Sequence, residues 1–338
     1  MTETTTTSGA RPILVTGATG FIGRRLVALL RDHGRSVRTF VLPNEPIPDE
    51  WDSSVCIEYG DISDRQAVEN AVEGVAAVVH LAAVVGDWGP ESLFQRVTVD
   101  GTQHVFTAAE KLAIPVVLAS SIVVYGHRLG RQVCDENTPH GRPFGPYGRA
   151  KQAQESMARN FIDRKNADIR IVRPGNVYGP GSGPWVNEAI KLLLAGSPAL
   201  IDGGHQNAGL AYVDNVVDVF FRALKMDEAR GQVFNACDAE PITWAGYFTD
   251  LAAIAGAATP RSVPGVIAWP LATTIELVWK LLGKTERPAL TREALNLISS
   301  DHNVPNEKAR TMLNHRPLKS YAEGVAEIAA SLAKTRPA

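Results

Sequence analysis

The amino-acid sequence predicts an α/β protein with a doubly wound parallel sheet and a smaller, mostly α C-terminal domain. Between residue 11 and about residue 175, short apolar runs alternate with helix-length segments, which is the pattern of consecutive βαβ units. Several of these runs are continuous in Val, Ile and Leu, as expected of strands that helices cover on both faces. Gly and Pro are then dense at 174–184, and the remainder is mostly helical in pattern.

The composition is that of an ordinary globular protein. The chain has 338 residues, of which 45% are hydrophobic and 21% charged, and its formal net charge is -2. No stretch combines clustered Lys and Arg with interleaved aromatic residues, as binding to a phosphate backbone would require. We therefore expect a small-molecule substrate and no nucleic-acid partner.

The N-terminus and the cysteines predict a cytoplasmic protein. Residues 1–10, MTETTTTSGA, contain no basic region followed by an apolar run, so we interpret them as a disordered leader and not as a signal peptide. Cys56, Cys134 and Cys237 are far apart, with no CxxC pair and no histidine at metal-ligand spacing. They indicate reduced thiols that pack in the structure, and no metal site.

The first half contains six candidate strands and two well-delimited helices. In chain order the strands are PILV, VRTFVL, VCIEY, AAVVH, PVVLAS and DIRIV. The helical segments GRRLVALLRDHG and SDRQAVENAVEG end at Gly34 and Gly74. A further strand candidate is QVFNA at 232–236. These segments predict a first domain at 11–178, to which 207–240 partly returns, and a second domain at 179–206 and 241–335.

A glycine-rich turn connects the first strand to the first helix. In ILVTGATGFIGRRLVALL, the turn contains Gly17, Gly20 and Gly23. One glycine permits the tight turn, one lets a pyrophosphate approach the backbone, and one lets the helix pack on the strand, while the helix N-terminus offers N–H groups to the anion. The turn predicts a dinucleotide site, which also includes Thr19, Phe21 and Ile22.

In this form, TGxxGxxG, the motif resembles that of the short-chain dehydrogenase/reductase superfamily. The likeness is to its extended members, in the NAD-dependent epimerase/dehydratase superfamily, which have a C-terminal substrate domain. It implies a Rossmann-type, NAD(P)-binding first domain. Asp61 and Ile62, in GDIS, match the element that meets the adenine, although Asp61 taken alone is a candidate helix cap. Leu81, Ala82 and Ala83, in HLAA, match a strand end that lines the adenosine and pyrophosphate.

The end of the second strand bears on the choice between NAD and NADP. An acid there would bind the ribose 2′-hydroxyl of NAD, whereas an arginine would pair with the 2′-phosphate of NADP. The corresponding residues are Val41 and Leu42, and strand alternation turns the nearby Arg38 away from the pocket. Because no basic group is placed to bind a doubly charged phosphate, the sequence favours NAD.

A serine, a tyrosine and a lysine form the candidate catalytic group. Tyr147 and Lys151, in GPYGRAK, are four residues apart after a proline, so a helix that begins there places both on one face. A neighbouring ammonium and the positive ring of an oxidised nicotinamide would lower the phenol pKa from its ordinary value of about 10. LASSIVVYG resembles the family segment that carries the catalytic serine, which assigns that role to Ser121.

The resemblance also supplies the remainder of the cofactor site. Ala119 and Ser120 precede the serine, and Tyr147 and Lys151 themselves face the cofactor. Pro174, Gly175 and Val177, in RPGNVYGPG, match residues against the nicotinamide. One departure is Thr98, in TVDGT, where many relatives carry an asparagine whose hydrogen bond or proton relay would be lost. The resemblance further implies a homodimer built on the tyrosine-bearing helix.

Two branches of the superfamily compete as the source of the substrate. Sugar-nucleotide epimerases and dehydratases anchor a diphosphate on an arginine, and in GGHQNAGLAYVDN its place is taken by Ala208. Asn176 nevertheless lies where those enzymes use an asparagine on their substrate. QNAGLAYVDNV and RPALTREALNLIS instead resemble segments of the 3β-hydroxysteroid and sterol dehydrogenase-like branch. Val85 and Trp88, on the loop after the fourth strand, are candidates for substrate contact or for ordinary packing.

An apolar helix at 264–283 precedes the second of those segments. Pro270, Glu276 and Lys280 interrupt it too often for a transmembrane span. It is either a lid over the substrate pocket, which we favour, or a helix that lies on a membrane surface.

Together these patterns predict an NAD(P)-dependent oxidoreductase that interconverts a secondary alcohol and a ketone on a hydrophobic, sterol-like or polyketide-like substrate. One alternative is a nucleotide-sugar epimerase or dehydratase. Another is a dinucleotide-binding regulatory protein without catalysis, which the presence of Ser121, Tyr147 and Lys151 disfavours.

Overall fold

A computed structural model describes residues 11–335, so the leader predicted at 1–10 lies outside the described residues. The strands are β1 Ile13–Thr16, β2 Val37–Val41, β3 Val55–Tyr59, β4 Ala77–His80, β5 Val116–Ala119, β6 Ile169–Pro174, β7 Asn176–Tyr178, β8 Pro198–Ile201, β9 Leu210–Tyr212, β10 Val233–Ala236 and β11 Arg261–Val263. The α-helices are α1 Phe21–Asp32, α2 Arg65–Val72, α3 Glu91–Leu93, α4 Gly101–Lys111, α5 Pro146–Lys165, α6 Ala189–Leu194, α7 Val213–Lys225, α8 Trp244–Ala255, α9 Gly265–Leu281, α10 Arg292–Ser299, α11 Glu307–Met312 and α12 Tyr321–Thr335. Shorter 3-10 or π turns cover Phe94–Asp100, Ile122–Arg128, Gly183–Glu188, Asp202–Gly204 and Asp227–Ala229.

Seven strands form one parallel sheet in the order β10-β6-β5-β4-β1-β2-β3. In this order, β2 and β3 lie on one side of β1, and β4 lies on its other side. In such a sheet the ligand crevice lies at the carboxyl ends of the strands where the order reverses, which here means β1 and β4. The six strands predicted in the first half and the one at 232–236 all belong to this sheet, so the predicted fold class is confirmed.

Helices cover both faces of the sheet, which explains its continuous apolar strands. Ile13 and Val15 pack in a core with α1 and α7, whereas Leu14, between them, faces the opposite core with α2, α4 and α5. Because most positions of the inner strands meet a helix on one side or the other, polar alternation there would bury unpaired polar groups.

The second half contains four short strands that sequence patterns do not predict. They form two separate parallel pairs, β7 with β9 and β8 with β11. Each has only three or four residues, too few for a periodic signal. Between β9 and β10 the chain forms α7, whose inner side packs with α1 in the core of the large sheet. Within residues 11–335, no helix combines the length and apolar composition that crossing a bilayer requires.

Candidate active site

The glycine turn has the geometry of a dinucleotide cradle. Gly17 has φ +65°, and a Cβ there would lie 2.8 Å from the backbone nitrogen of Ala82, so only glycine fits. A Cβ on Gly23 would lie 2.2 Å from the carbonyl oxygen of Gly17, which holds α1 tightly against the turn. Gly20 caps α1 without any side-chain hydrogen bond, so the first-turn N–H groups remain available to an anion. The turn therefore fits the pyrophosphate of a dinucleotide.

A directional chain of hydrogen bonds fixes the strand end beside this turn. The Ala82 N–H donates to Thr16 Oγ1, which leaves the Thr16 hydroxyl proton for His80 Nδ1 at 2.7 Å. His80 Nε2 then donates to Thr102 Oγ1, and that hydroxyl donates to the carbonyl oxygen of Thr98. Burial lowers the pKa of His80 to about 3, so the imidazole stays neutral and keeps this tautomer. This chain is not among the features predicted from the sequence, although His80 stands directly before Leu81, Ala82 and Ala83.

The candidate adenine end lies after β3. Asp61 is exposed, and its Oδ1 accepts hydrogen bonds from the N–H and the hydroxyl of Ser63, both at 2.8 Å. The helix cap is instead Asp64, which accepts from two N–H groups of α2, so Asp61 is not the cap. Ile62 is buried and packs against the start of α4 at Gly101.

Two charged groups, Arg38 and Glu45, lie around the end of β2. Arg38 Nη1 donates to the carbonyl oxygens of Ala71 and Glu73, at the C-terminal end of α2, and so points away from the turn. Glu45, in the loop after β2, accepts a hydrogen bond of 2.5 Å from the hydroxyl of Thr19. This carboxylate beside the glycine turn was missed because it lies four residues beyond Val41, past the expected strand end.

Ser121, Tyr147 and Lys151 come together at the carboxyl end of β5. Helix α5 begins at Pro146, so Tyr147 lies in its first turn, where its hydroxyl is close enough to the Ser121 side chain for Ser121 to lower the pKa of the phenol. Lys151, one turn later, has its Nζ 5.8 Å from the Tyr147 ring centroid and donates to the carbonyl oxygen of Ala119 at 2.8 Å. Ser121 also caps the following turn by accepting from the N–H of Val123.

Burial controls the proton affinities of these groups in the protein alone. It raises the pKa of Tyr147 to about 12, which the hydrogen bond with Ser121 partly offsets. Burial also lowers the pKa of Lys151 to about 7, against the opposing pull of the Glu155 carboxylate. The lowered tyrosine pKa expected from the sequence is therefore not a property of the protein alone, since the raising effect of desolvation exceeds the lowering effect of Ser121.

A buried ion pair lies behind the two serines. Ser120 donates to Glu155 Oε1 at 2.5 Å, whereas Ser121 faces the tyrosine, so the tandem serines have different partners. Arg173 binds both oxygens of Glu155, at 2.8 and 2.6 Å, and donates to the hydroxyl of Tyr125 at 2.9 Å. Glu155 is not among the site residues predicted from the sequence, although it follows Lys151 by one helical turn on the same face.

The candidate nicotinamide wall and Thr98 have well-defined contacts. Pro174 ends β6, the Gly175 N–H donates to the carbonyl oxygen of Ala236, and Val177 is half-buried in β7. Thr98 is fully buried, and its hydroxyl accepts from the N–H of Val84 at 3.0 Å. Thr98 therefore anchors the loop after β4.

The candidate substrate residues have different environments. Val85 is 72% exposed, and the ring of half-buried Trp88 lies 5.8 Å from Nζ of Lys280. The Asn176 amide is buried, donates to the carbonyl oxygen of Ala208 at 2.6 Å and lies 3.3 Å from His302 Nδ1. In this arrangement Asn176 has no free amide proton pointing to an open pocket, and Ala208 is itself fully buried.

Two carboxylates, those of Asp87 and Glu293, make contacts between the C-terminal half and the candidate site. Neither contact is predicted from the sequence. Asp87, beside Trp88, forms a two-oxygen ion pair with Arg287 and accepts from the Thr291 hydroxyl. Glu293, on α10, accepts from the N–H of Gly148 at 3.1 Å, directly after Tyr147. Among the described residues the Glu293 Oε2 has no hydrogen-bond partner. Burial raises the pKa of Glu293 to about 8, and the nearby Asp87 charge adds to the effect.

The described residues contain no cluster of three or more His, Cys, Asp or Glu side chains that could hold a metal ion. The cysteines in that part of the chain are free thiols, with Cys56 exposed and both Cys134 and Cys237 buried.

Comparison with known proteins places this geometry in a family. Residues 13–237 match the model of the NAD dependent epimerase/dehydratase family. The chain is 28% identical over 331 residues to the 2-alkyl-3-oxoalkanoate reductase of Stenotrophomonas maltophilia (strain K279a), covering 95% of this chain and 99% of the relative. It is 26% identical over 337 residues to the 3-beta-hydroxysteroid dehydrogenase of Mycolicibacterium neoaurum, covering 93% and 89%.

One solved structure is also similar, that of MoeE5 in complex with UDP-glucuronic acid and NAD. The TM-score is 0.74 at 26% identity, with 96% of this chain and all of the other covered. The family match spans the large sheet, the glycine turn and the Ser121, Tyr147 and Lys151 group. The chain therefore belongs to the NAD-dependent epimerase/dehydratase family and is an enzyme of the extended short-chain dehydrogenase/reductase type.

Proposed function

We propose that the protein is an NAD(P)-dependent oxidoreductase that interconverts a secondary alcohol and a ketone on a hydrophobic, sterol-like or polyketide-like substrate. The observation that carries the proposal is the meeting of Ser121, Tyr147 and Lys151 at the carboxyl end of β5. This end lies on the same edge of the sheet as the glycine turn after β1.

Each of the three residues has a distinct role in the proposed reaction. Ser121 holds the substrate oxygen by a hydrogen bond. In the oxidation direction, Tyr147 accepts the hydroxyl proton of the alcohol, and in reduction it returns that proton to the ketone oxygen. Bound nicotinamide supplies the hydride acceptor or donor. Lys151 faces the Tyr147 ring, so its ammonium form stabilises the phenolate that remains after proton donation.

The proposed cofactor site follows the crevice from the glycine turn to β6. It comprises Gly17, Thr19, Gly20, Phe21, Ile22, Gly23, Asp61, Ile62, Leu81, Ala82, Ala83, Ala119, Ser120, Tyr147, Lys151, Pro174, Gly175 and Val177. We favour NAD over NADP because the Glu45 carboxylate, held by Thr19, would repel a 2′-phosphate, while Arg38 is bound to α2.

The basic groups beside the candidate pocket favour an uncharged substrate. The place of the diphosphate-binding arginine is taken by the fully buried Ala208. Arg287 and Arg292, which flank the segment opposite the loop after β4, are already paired with Asp87 and Glu276. The two relatives named above, a 2-alkyl-3-oxoalkanoate reductase and a 3-beta-hydroxysteroid dehydrogenase, are consistent with this class. Val85, Trp88, Ser121 and Asn176 remain our candidates for substrate contact.

The second candidate function is a nucleotide-sugar epimerase or dehydratase. It is favoured by the likeness to MoeE5, whose structure contains UDP-glucuronic acid and NAD. Division into a dinucleotide-binding domain at 11–178, to which 207–240 partly returns, and a substrate-binding domain at 179–206 and 241–335 also remains a proposal. The homodimer and the cytoplasmic location remain proposals as well.

The two functions are separated by incubating the purified protein with NAD or NADP and two panels, hydroxysteroids with long-chain 3-hydroxy acids, and nucleotide sugars. Reduced cofactor is followed optically, and sugar products by chromatography, because an epimerase regenerates its cofactor. We expect turnover of the hydrophobic panel, with a higher kcat/KM for NAD than for NADP. Turnover of sugars alone would reverse the preference.

Replacing Tyr147 by Phe tests the proposed chemistry. We expect Tyr147→Phe to lower kcat by about 100-fold or more, since proton transfer by a positioned group commonly contributes that much. Tyr59→Phe, at the exposed last residue of β3, is the matched control and should leave kcat unchanged. Full activity of Tyr147→Phe on any substrate would show that the proposed mechanism is wrong.

A further inference from the structure

Helix α9 has its apolar side on the outside of the molecule. Val266 is 84% exposed and Leu281 is 78% exposed, although both are large apolar residues. The other exposed large apolar side chains of this helix and of the residue directly after it are Ile267, Leu271, Leu277, Val278 and Leu282. A helix of 17 residues is about 25 Å long, so they form an extended surface.

Helical geometry shows that this surface is continuous. At about 100° per residue, the four buried residues of α9, namely Gly265, Ala268, Ala272 and Glu276, form a narrow strip toward α10. The exposed apolar residues lie on the opposite side, and Lys280 lies at the border between the two. The Thr273 and Thr274 hydroxyls donate to carbonyl oxygens one turn earlier, so even these side chains expose little polarity. A helix that is apolar on both sides requires a cover on its outer side.

The charges around α9 match an anionic surface. Segment 261–292 contains five basic and two acidic residues, in a chain whose formal net charge is -2. Arg287 and Arg292 are paired with Asp87 and Glu276. The remaining charges of the segment are those of Arg261, Lys280 and Lys284 against Glu286. Lys280 lies in the last turn of α9 and Lys284 follows three residues after its end. Their ammonium groups lie over the Trp88 and Trp279 rings, respectively. Such side chains can keep their apolar parts in lipid while the charge reaches the head groups.

We propose that α9 is a membrane-docking surface that lies in the plane of an anionic lipid leaflet. The apolar side would enter the boundary between head groups and acyl chains, and Arg261, Lys280 and Lys284 would face the anionic head groups. A second copy of the chain could also cover the apolar side. It would bring few acids to these cations, however, because the same segment has only two.

The docking surface continues to the candidate active site. The ring of Trp269, on α9, lies 5.5 Å from Phe144, which precedes the start of α5 and Tyr147. At the other end of α9, Lys280 contacts Trp88 on the loop after β4. A substrate dissolved in the leaflet would therefore reach the pocket along α9. This route rests on the proposed function, whereas docking itself does not.

The test measures sedimentation of the full-length protein with lipid vesicles. We expect it to bind vesicles of phosphatidylcholine with phosphatidylglycerol, and to bind more weakly to phosphatidylcholine alone or at high salt. Leu277→Glu and Leu281→Glu should each weaken partitioning about tenfold or more, because each removes a leucine from lipid. Leu112→Glu, at a leucine of similar exposure elsewhere, is the matched control and should bind as the unaltered protein does. Lys280→Glu should reduce the preference for the anionic vesicles.

Three results would overturn the proposal. The first is absence of binding to either vesicle, and the second is equal weakening of binding by Leu112→Glu. The third is conversion of a dimer to a monomer by Leu277→Glu without vesicle binding, which would identify a second copy of the chain as the cover of α9. Circular dichroism confirms that each variant is folded. Vesicle binding by a protein that turns over neither substrate panel would sustain docking while rejecting the proposed function. Normal turnover of a water-soluble substrate by Leu277→Glu would separate a docking defect from a catalytic one.

Discussion

At the scale of single residues, the site shows that burial and partners, more than residue type, determine proton affinity. Tyr147 and Glu293 lie on either side of Gly148, and both have raised pKa values because both are desolvated. The Glu293 carboxyl also raises the pKa of Tyr147 when it is charged. The pKa of Tyr147 is therefore lower when Glu293 is neutral than when Glu293 is charged.

Glu293 should make stability fall as the pH rises. Its folded-state pKa of about 8 lies above the ordinary value of 4.5, so its contribution is fully present below about pH 4.5 and is lost as the pH approaches 8. Glu293→Gln keeps an acceptor for the Gly148 N–H but cannot ionise. We expect the variant to be more stable than the unaltered protein above pH 8, with little difference near pH 5, as measured by urea unfolding.

The control is Glu323→Gln, since the pKa of exposed Glu323 is lowered by hydrogen bonds from Ser320. That variant should change the pH dependence in the opposite direction. Parallel pH profiles for Glu293→Gln and the unaltered protein would contradict the assignment of an ionising, buried carboxyl.

At the scale of elements, the carboxyl ends of β1, β4 and β5 position the site, and the helices after them supply its groups. Helix α1 depends on contact with the turn at Gly17, and α5 presents Tyr147 and Lys151 one turn apart. Because these elements belong to one parallel sheet, a shift of one helix changes the crevice that they share.

Gly23→Ala should displace α1 from the glycine turn. The added Cβ would lie 2.2 Å from the Gly17 carbonyl oxygen and 2.7 Å from Ala18, and neither backbone atom can move without the turn. We expect a loss of about 1–3 kcal/mol in the free energy of unfolding and at least a tenfold weaker affinity for NAD, measured by calorimetry. Gly183→Ala, where nothing lies within 4 Å of the new Cβ, is the control. Equal effects of the two substitutions would exclude a steric role for Gly23.

The elements also show which structural features can be predicted from sequence patterns. The continuous apolar runs that became β1 to β6 were predictable because burial on both faces leaves a local signature. So was the pairing of Tyr147 with Lys151, which needs only helical spacing. The contacts of Asp87 with Arg287 and of Gly148 with Glu293 were not, since each joins residues far apart in sequence. Short strands such as β7 and β9 depend on each other and have no periodic signal of their own.

At the scale of the whole molecule, the two halves of the chain meet over the candidate site. Arg287 holds the loop after β4 through Asp87, Glu293 contacts the start of α5, and Asn296 donates to the carbonyl oxygen of Gly126 at 3.2 Å. The position of α10 is therefore coupled to the loops that surround Tyr147.

Breaking the ion pair between Asp87 and Arg287 should loosen this contact. We expect a coupling energy on the order of 1 kcal/mol between Asp87→Asn and Arg287→Gln, since the arginine is half exposed. KM should rise more than kcat falls, because the loop beside the pocket is affected and the proton-transfer group is not. A double-mutant cycle of urea unfolding and steady-state kinetics measures both. The exposed pair of Arg24 and Glu50 is the control, with a coupling near zero expected. Additive effects at Asp87 and Arg287 would contradict the proposed link.

The position of β10 at the edge of the large sheet has a consequence for synthesis on the ribosome. Its partner β6 is complete at Pro174, yet β10 begins only at Val233, roughly 60 residues later. At about 5–20 residues per second, β6 has an unpaired edge for roughly 3–12 seconds during synthesis. An open edge of this kind is a template for pairing with another chain. Nascent chains that stall between these two strands should therefore be the ones that aggregate or recruit chaperones.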